Sequence, residues 1–380
     1  MNMDSSSVID AVRNEAIQAE SDTKGGGFGA PTSLDGVVNG NLRSSKPIVH
    51  DLAIITVSTN EAQWIRPCLR TVFTHIGDVS ADVVVVNNES TDGTADLVAA
   101  EFPDARVVWS RNQGFSHANN RALMTCNARY VLFLNPDTEI LEGTFADLVR
   151  MMDARPTVGL IGVRQIVTDG RLDTTIRRFP NALRALGDAL LAERLPRRPH
   201  WLGERELDPA SYEREFDCDW TSGSFMLVRR EAIESAGYLD ERYFLYCDET
   251  DFCRRIKAAG WEVRHLPQMT ILHHDGKAGI KPSLHSLGAN SRKLYARKFF
   301  SPAHRAAYLG AVMLKLLLRS VYAGGGETGR LKRGANRGAI LTLIGRAPVP
   351  YAAITSKVSV ETADPELRRR PTPGSRSPKR

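Results

Sequence analysis

The chain has 380 residues, 42% of them hydrophobic, and its 50 Lys and Arg against 44 Asp and Glu give a net charge of +6. That length and apolar content exclude a wholly disordered chain and allow one large domain with appendages. Cys68, Cys126, Cys218, Cys247 and Cys253 form no CxxC pair, which argues against a disulfide framework or a zinc site and for a reducing, cytoplasmic setting.

Residues 1–48 are rich in Ser, Gly, Asn and Asp and read as a disordered arm, with neither the basic start nor the apolar core of a signal peptide. Beyond them strand and helix signals alternate. "LAIITVS" is a short β-branched run, a helical pattern follows from Glu61 to His75, and "DVVVVNN" is apolar without alternation, as in strands buried on both faces. "TADLVAAEF", "ARVVWS", "SHANNRALMTC" and "YVLFLN" then predict helix, strand, helix and strand. Strand and helix at this spacing imply a parallel sheet with helices on both sides, whose ligands bind at the carboxyl ends of the strands.

Those strand ends are polar: "STNE", "NNESTDGT", "RNQGFSHANN" and "NPDTE". Each has an ordinary explanation, since Ser, Thr and Asp cap helices and Gly and Pro make turns. Four together on one edge suit a polar, sugar-like and phosphorylated ligand.

The second half adds a strand pattern at Ser224 to Val228, a helix ending at Gly237, and "YFLYCDETDFCRRI". Here Asp248, Glu249 and Asp251 open a helix, where the positive end of the dipole favours anions. Three carboxylates beside an aromatic run exceed what a cap requires, and burial would tune one toward a general base. "MTILHHDGKAG" places His273 and His274 at a further strand end, where a structural role and metal ligation are both open.

In this order, "VVVVNNESTDGT", "NQGFSHANN", "YVLFLNPDTEI", "TSGSFMLVRREAIESAGYLDERYFLYCDETDFCRRIKAAGW" and "ILHHDGKA" resemble the family-two inverting glycosyltransferases, most of all their bacterial rhamnosyltransferase-like branch. The resemblance runs from about Leu52 to Phe300. It implies a Rossmann-like α/β GT-A fold over 49–300, a mostly parallel sheet flanked by helices, with a C-terminal helical extension. It further implies transfer of a sugar such as rhamnose from a nucleotide diphosphate sugar to a hydroxyl of a glycan or lipid-linked acceptor, in cell-surface polysaccharide synthesis. The competing reading is an inactive nucleotide-sugar-binding or assembly subunit. No nucleic-acid partner is expected.

Residue by residue, the resemblance places Asp137 of Asn135-Pro136-Asp137 on a Mg²⁺ or Mn²⁺ ion bridging the donor's phosphates, with His273 completing the coordination. Asn135 offers at most an amide oxygen. Thr59, Asn87, Asn88, Asp92 and Asn112 fall on the donor side, and Thr59 stands where relatives often carry Tyr. Glu249 matches the catalytic base at a position where relatives carry Asp, with Asp248 as runner-up and Asp251 in the same element. Trp220, Ser222 and Gly223 match the segment lining the acceptor side, with the indole face offered to a sugar ring.

Residues 301–347 read as an amphipathic helical extension in which Leu309, Val312, Met313, Leu316 and Leu317 recur at helical spacing. Packing on its own domain and lying on the cytoplasmic face of the inner membrane are both open. Residues 348–380, rich in Pro and Arg, read as a disordered basic tail suited to solvent or to an anionic surface.

Overall fold

The computed structural model describes residues 47–190, 199–274 and 281–351. The expected arm and tail fall almost wholly outside the described residues, as do the last residues of the "HHDGKAG" stretch.

Four strands form the parallel part of a nine-stranded sheet: β1 (His50–Ser58), β2 (Ala81–Asn88), β3 (Ala105–Ser110) and β4 (Ala128–Leu134), in the order β3-β2-β1-β4. Between them run α1 (Ala62–Thr74), α2 (Thr94–Glu101) and α3 (Phe115–Leu123). The apolar runs lack alternation because both faces are covered. Leu52, Ile54, Val83, Val85 and Leu132 pack with Ile65, Leu69 and Val72 of α1. Their neighbours Ile55, Val84, Val86, Val131 and Phe133 pack on the other face with Ala118 and Ala122 of α3. Successive side chains of a strand point to opposite faces, so a strand between two helical layers must be apolar throughout.

The second half widens this sheet with antiparallel pairings and one parallel pairing. After β4 come β5 (Thr138–Glu142), α4 (Phe145–Asp153), β6 (Val158–Val167), α5 (Ala182–Ala189) and β7 (Phe216–Asp217), then β8 (Phe225–Arg229) and α6 (Arg230–Ala236). Next come α7 (Asp248–Ala258) and β9 (Glu262–His273). β8 pairs antiparallel with β4, and the sheet continues β8-β6-β9-β5, with β6 parallel to β9. The pairing of β5 with β9 sets Thr138 opposite His273, so Asn-Pro-Asp and the histidine pair meet through sheet register.

Three helices complete the chain: α8 (Pro282–Phe299), α9 (Pro302–Val321) and α10 (Gly326–Leu343). Pro stands at the start of α8 and α9, where its missing N–H costs nothing. Tyr243, Tyr295, Phe300, Tyr308, Val312, Ala339 and Leu343 form a third apolar cluster that joins these helices to the loop preceding α7. The stripe of α9 is divided between the two expectations. Val312 is buried and Leu309 and Leu316 pack inward, whereas Leu317, Val321 and Tyr322 are exposed. No helix among the described residues is long and apolar enough to cross a membrane.

Candidate active site

The carboxyl ends of β1 to β4 converge as the topology requires. Asn88, at the end of β2, donates from Nδ2 to Thr59 Oγ1 at 3.0 Å and to Asn112 Oδ1 at 3.2 Å, with the amide orientation assigned from these partners. Three strand ends thus place one residue each in a small polar group. Asn87 and Asp92 do different work. Asn87 is 1% exposed and its Oδ1 accepts from the Ser90 N–H. Asp92 accepts from Ala62 N at 2.8 Å and from Thr94 N at 3.1 Å, and so caps α1 and α2 together.

At the end of β4, Asp137 lies 3.5 Å from His273 Nε2, and Asp173 lies 3.5 Å from Nδ1 of the same ring. Burial disfavours the charged imidazole, but the two carboxylates outweigh it and raise its pKa to about 9. His274 is held elsewhere: its ring stacks on Trp64 at 4.5 Å and its Nε2 meets Glu139 Oε1 at 2.5 Å. Asn135 contributes its backbone, with its N–H bonded to Ser224 O at 3.0 Å and its C=O accepting from Thr138 Oγ1 at 2.7 Å.

Glu61 was not anticipated. Burial first, and then the charge of Asp137, push its carboxyl up to about 7. Two carboxylates that repel each other at a strand edge are the hard oxygen donors a divalent cation would relieve, so the residues present fit Mg²⁺ or Mn²⁺. Among the described residues no three His, Cys, Asp or Glu converge as a ready-made metal cage. The arrangement suits an ion whose remaining positions are filled by phosphate oxygens and water, which is how Mg²⁺ is commonly held. The sequence signal existed: Glu61 ends "STNE", the first strand-end loop.

The acidic element opens α7 behind a strained turn. Tyr246 and Cys247 have φ of 69° and 62°, in the left-handed region unfavourable for side-chain-bearing residues, and Asn60 and Glu89 in the strand-end loops share it. Such geometry costs ~1–3 kcal/mol per residue and persists where packing imposes it. The packing here is visible: Phe115 N donates to Phe244 O at 2.8 Å, and a Cβ on Gly114 would stand 2.5 Å from that oxygen. The glycine of "NQGF" therefore lets the loop before α7 dock on the start of α3.

The three carboxylates of α7 have three different settings. Asp248 is buried, and burial followed by the charge of Glu249 raises its pKa well above the usual range. Asp251 is 0% exposed and meets Arg255 at 2.7 Å and Lys298 at 2.6 Å. Enclosed between two cations, it ties α7 to α8 and does not face a substrate, which corrects the expectation that it acts in the reaction. Of the three, Glu249 alone is half-buried. A Cβ on Gly223 would lie 3.6 Å from its Cβ, so the Ser222-Gly223 segment packs beside Glu249.

Trp220 departs from expectation. Its side chain is 6% exposed, its indole N–H donates to Arg178 O at 3.0 Å, and the Arg177 guanidinium covers its ring at 5.0 Å. The face expected to receive a sugar is already occupied by a cation. Ser222 accepts from Ser224 Oγ at 3.0 Å, beside the Gln165 amide.

Polar side chains gathered along one parallel-sheet edge, an acidic strand end beside them and a half-buried carboxylate at the start of α7 suit a polar, phosphorylated ligand. Comparison with known proteins agrees. Residues 53–236 match the Glycosyl transferase family 2 model. The chain is 30% identical over 56% of its length to the N-acetylglucosaminyl-diphospho-decaprenol L-rhamnosyltransferase of Mycobacterium tuberculosis, of which it spans 73%. It is 26% identical to the rhamnosyltransferase WbbL of Escherichia coli, over 43% of this chain and 63% of that one. Among solved structures, the mannosyltransferase PcManGT of Pyrobaculum calidifontis in complex with GDP-Man and Mn²⁺ superposes with a TM-score of 0.46 at 20% identity, covering 82% of this chain and 84% of that one. The chain belongs to glycosyl transferase family 2 and is a glycosyltransferase of the rhamnosyltransferase-like kind.

Proposed function

We propose that this enzyme transfers a deoxyhexose such as rhamnose, with inversion and in a metal-dependent reaction, from a nucleotide diphosphate sugar to a hydroxyl of a diphosphate-lipid-linked glycan. The single observation that carries the chemistry is the contrast at the start of α7, where Asp248 is buried and Glu249 is half-buried beside Gly223. In this reading residues 49–300 are the catalytic domain and 301–347 an extension.

Thr59, Asn88 and Asn112 receive the nucleoside, while Asn87 and Asp92 hold the loops that carry them. Asp137, with Glu61 and His273 beside it, holds Mg²⁺ or Mn²⁺, and Asn135 fixes the turn. When bound, the cation neutralises charge gathering on the diphosphate as it leaves. Asp248, kept protonated by burial, donates to Glu249 and orients it. Glu249 then takes the proton of the acceptor hydroxyl as that oxygen attacks the anomeric carbon from the face opposite the diphosphate. One displacement inverts the centre and needs no covalent intermediate. The lipid-linked acceptor follows the printed substrate of the mycobacterial relative. The exposed Leu317, Val321 and Tyr322 would meet the membrane surface carrying it, on the cytoplasmic side.

The test is Glu249→Gln. A general base contributes about 100- to 10,000-fold, so turnover with acceptor falls by that order while donor affinity stays near wild type. Asp248→Asn retains a hydrogen-bond donor toward Glu249 and loses less. Near-normal turnover in Glu249→Gln with a dead Asp248→Asn would transfer the role to Asp248, and full activity in both would refute base catalysis by α7. An inactive binding subunit would instead show saturable nucleotide-sugar binding and no turnover in the wild type.

A further inference from the structure

A helix start is commonly held by its own cap, a side chain that accepts from the first free backbone N–H groups. The start of α7 is held otherwise. Cys247 occupies the cap position without a side-chain hydrogen bond, and it and Tyr246 carry the left-handed φ values that favour glycine. The contacts that fix this turn come from α8. Ser291 Oγ donates to Leu245 O at 2.7 Å, just before the strained residues. The Tyr295 hydroxyl accepts from Arg254 Nη1 of α7 at 2.9 Å, and Lys298 Nζ meets Asp251 Oδ1 at 2.6 Å in the first turn of α7. Ser291, Tyr295 and Lys298 stand at i, i+4 and i+7, so one face of α8 makes all three contacts.

Charge balance does not account for the lysine. Lys298 also meets Asp240 Oδ2 at 2.7 Å, and each of its two carboxylates has an arginine besides: Asp240 meets Arg242 at 2.6 Å and Asp251 meets Arg255 at 2.7 Å. Neither acid needs Lys298 for neutrality. What Lys298 alone supplies is a connection between α8, the loop leading into α7 and the first turn of α7 itself. Asp251 is 0% exposed, so this contact lies where solvent does not loosen it, unlike a surface ion pair. Arg255 extends the cluster to the Gly237 carbonyl at 3.0 Å, just past the end of α6. Glu249 precedes Asp251 by two residues in the same turn, and a shift of that turn carries its carboxylate along.

We propose that Lys298 is a positioning residue for the transfer reaction: with Ser291 and Tyr295 on the same face of α8, it holds the uncapped start of α7 so that Glu249 points along the line of attack. This rests on the assignment of Glu249 as the base. Lys298 acts through Asp251 and the helix start, not on a substrate. A base must be kept within about 0.5 Å of its working geometry by the residues around it, and a misplacement of ~1 Å can cost ~100-fold in rate. The strained turn stores a tendency to relax, and the face of α8 opposes it.

A double-substitution cycle in the full chain tests this. Lys298→Met keeps an apolar stem and removes the charge, while Arg242 and Arg255 stay on the two carboxylates. Turnover with acceptor falls about tenfold through kcat, Lys298→Arg recovers part of the loss, and calorimetric affinity for the nucleoside diphosphate with Mn²⁺ keeps its wild-type value. In a Glu249→Gln background the same substitution costs less than about twofold, because a residue that acts through Glu249 has nothing left to position. A tenfold loss in both backgrounds, wild-type turnover in Lys298→Met, or a loss expressed in nucleotide affinity would each overturn the positioning role. If Lys298→Met shows no folding transition, Asp240→Asn replaces it: Lys298 then keeps only Asp251, turnover falls about threefold, and that loss too vanishes in the Glu249→Gln background or the role is refuted. Full activity of Glu249→Gln by itself removes the base, whereas equal losses on top of an impaired Glu249→Gln remove the positioning role alone.

Discussion

The proposed donor edge and the proposed base side are built differently. Thr59, Asn88, Asn112 and Asp137 each stand at or just past the carboxyl end of one of four adjacent parallel strands, so the sheet largely sets their spacing. Gly223, Tyr246, Glu249 and Lys298 come from a loop, a strained turn, a helix start and a C-terminal helix. The first half needs a sheet; the second needs the correct docking of α8 and α9. Donor binding should therefore respond to local changes at strand ends, and acceptor use to changes anywhere in the helical packing.

The largest effect should come from the donor edge. Asp137→Ala removes the carboxylate proposed to hold the cation at the donor's phosphates, and turnover should fall by on the order of 100-fold or more. Nucleotide-sugar affinity should weaken chiefly when Mn²⁺ or Mg²⁺ is present. Titrations in which affinity ignores both the substitution and EDTA would remove the metal from this edge and erase the contrast with the base side.

A second effect concerns the same edge without its cation. Glu61 has its pKa raised in the fold from 4.5 to about 7, and His273 from 6.5 to about 9. Both shifts carry the same sign: each favours the protonated form, so its stabilisation is full below the unfolded value and lost as pH rises through the folded one. Metal-free protein should lose thermal stability from about pH 5 to pH 9, and Mg²⁺ should restore it at the upper end. Glu61→Gln should flatten the lower part of that slope. The measurement is Tm against pH in EDTA, and a flat wild-type profile contradicts the proposed strand-edge charge.

The smallest effect concerns the far end of α9. Leu317→Asp with Val321→Asp should reduce co-sedimentation with anionic liposomes, and moderate salt should reduce it further. Unchanged co-sedimentation would leave the helix as packing for the base side only.

How far the sequence could be read follows the same division. The strands were legible because apolar runs without alternation have one stable place, between two helical layers. Asn135-Pro136-Asp137 was legible because the strand before it sets its position. Trp220 was misread because an aromatic residue in a sugar-handling segment looks the same whether its face is open or covered, and only the bridge to Arg177 closes it. Asp251 was misread because three carboxylates on one helix turn share a sequence signature, while Arg255 and Lys298 reach it from one turn on and from another helix.

The sequence by itself determined the parallel strands with helices between them, the polar edge at their carboxyl ends, and the family. Those depend on periodicity and on motifs whose parts lie within a few residues of one another. Tertiary structure decided which of Asp248, Glu249 and Asp251 is left half-buried, why Gly114 must be glycine, and that Glu61 joins Asp137. Each of these depends on contacts between segments far apart in the chain. Burial and charge pairing are properties of such contacts, and the local pattern of residues carries no record of them.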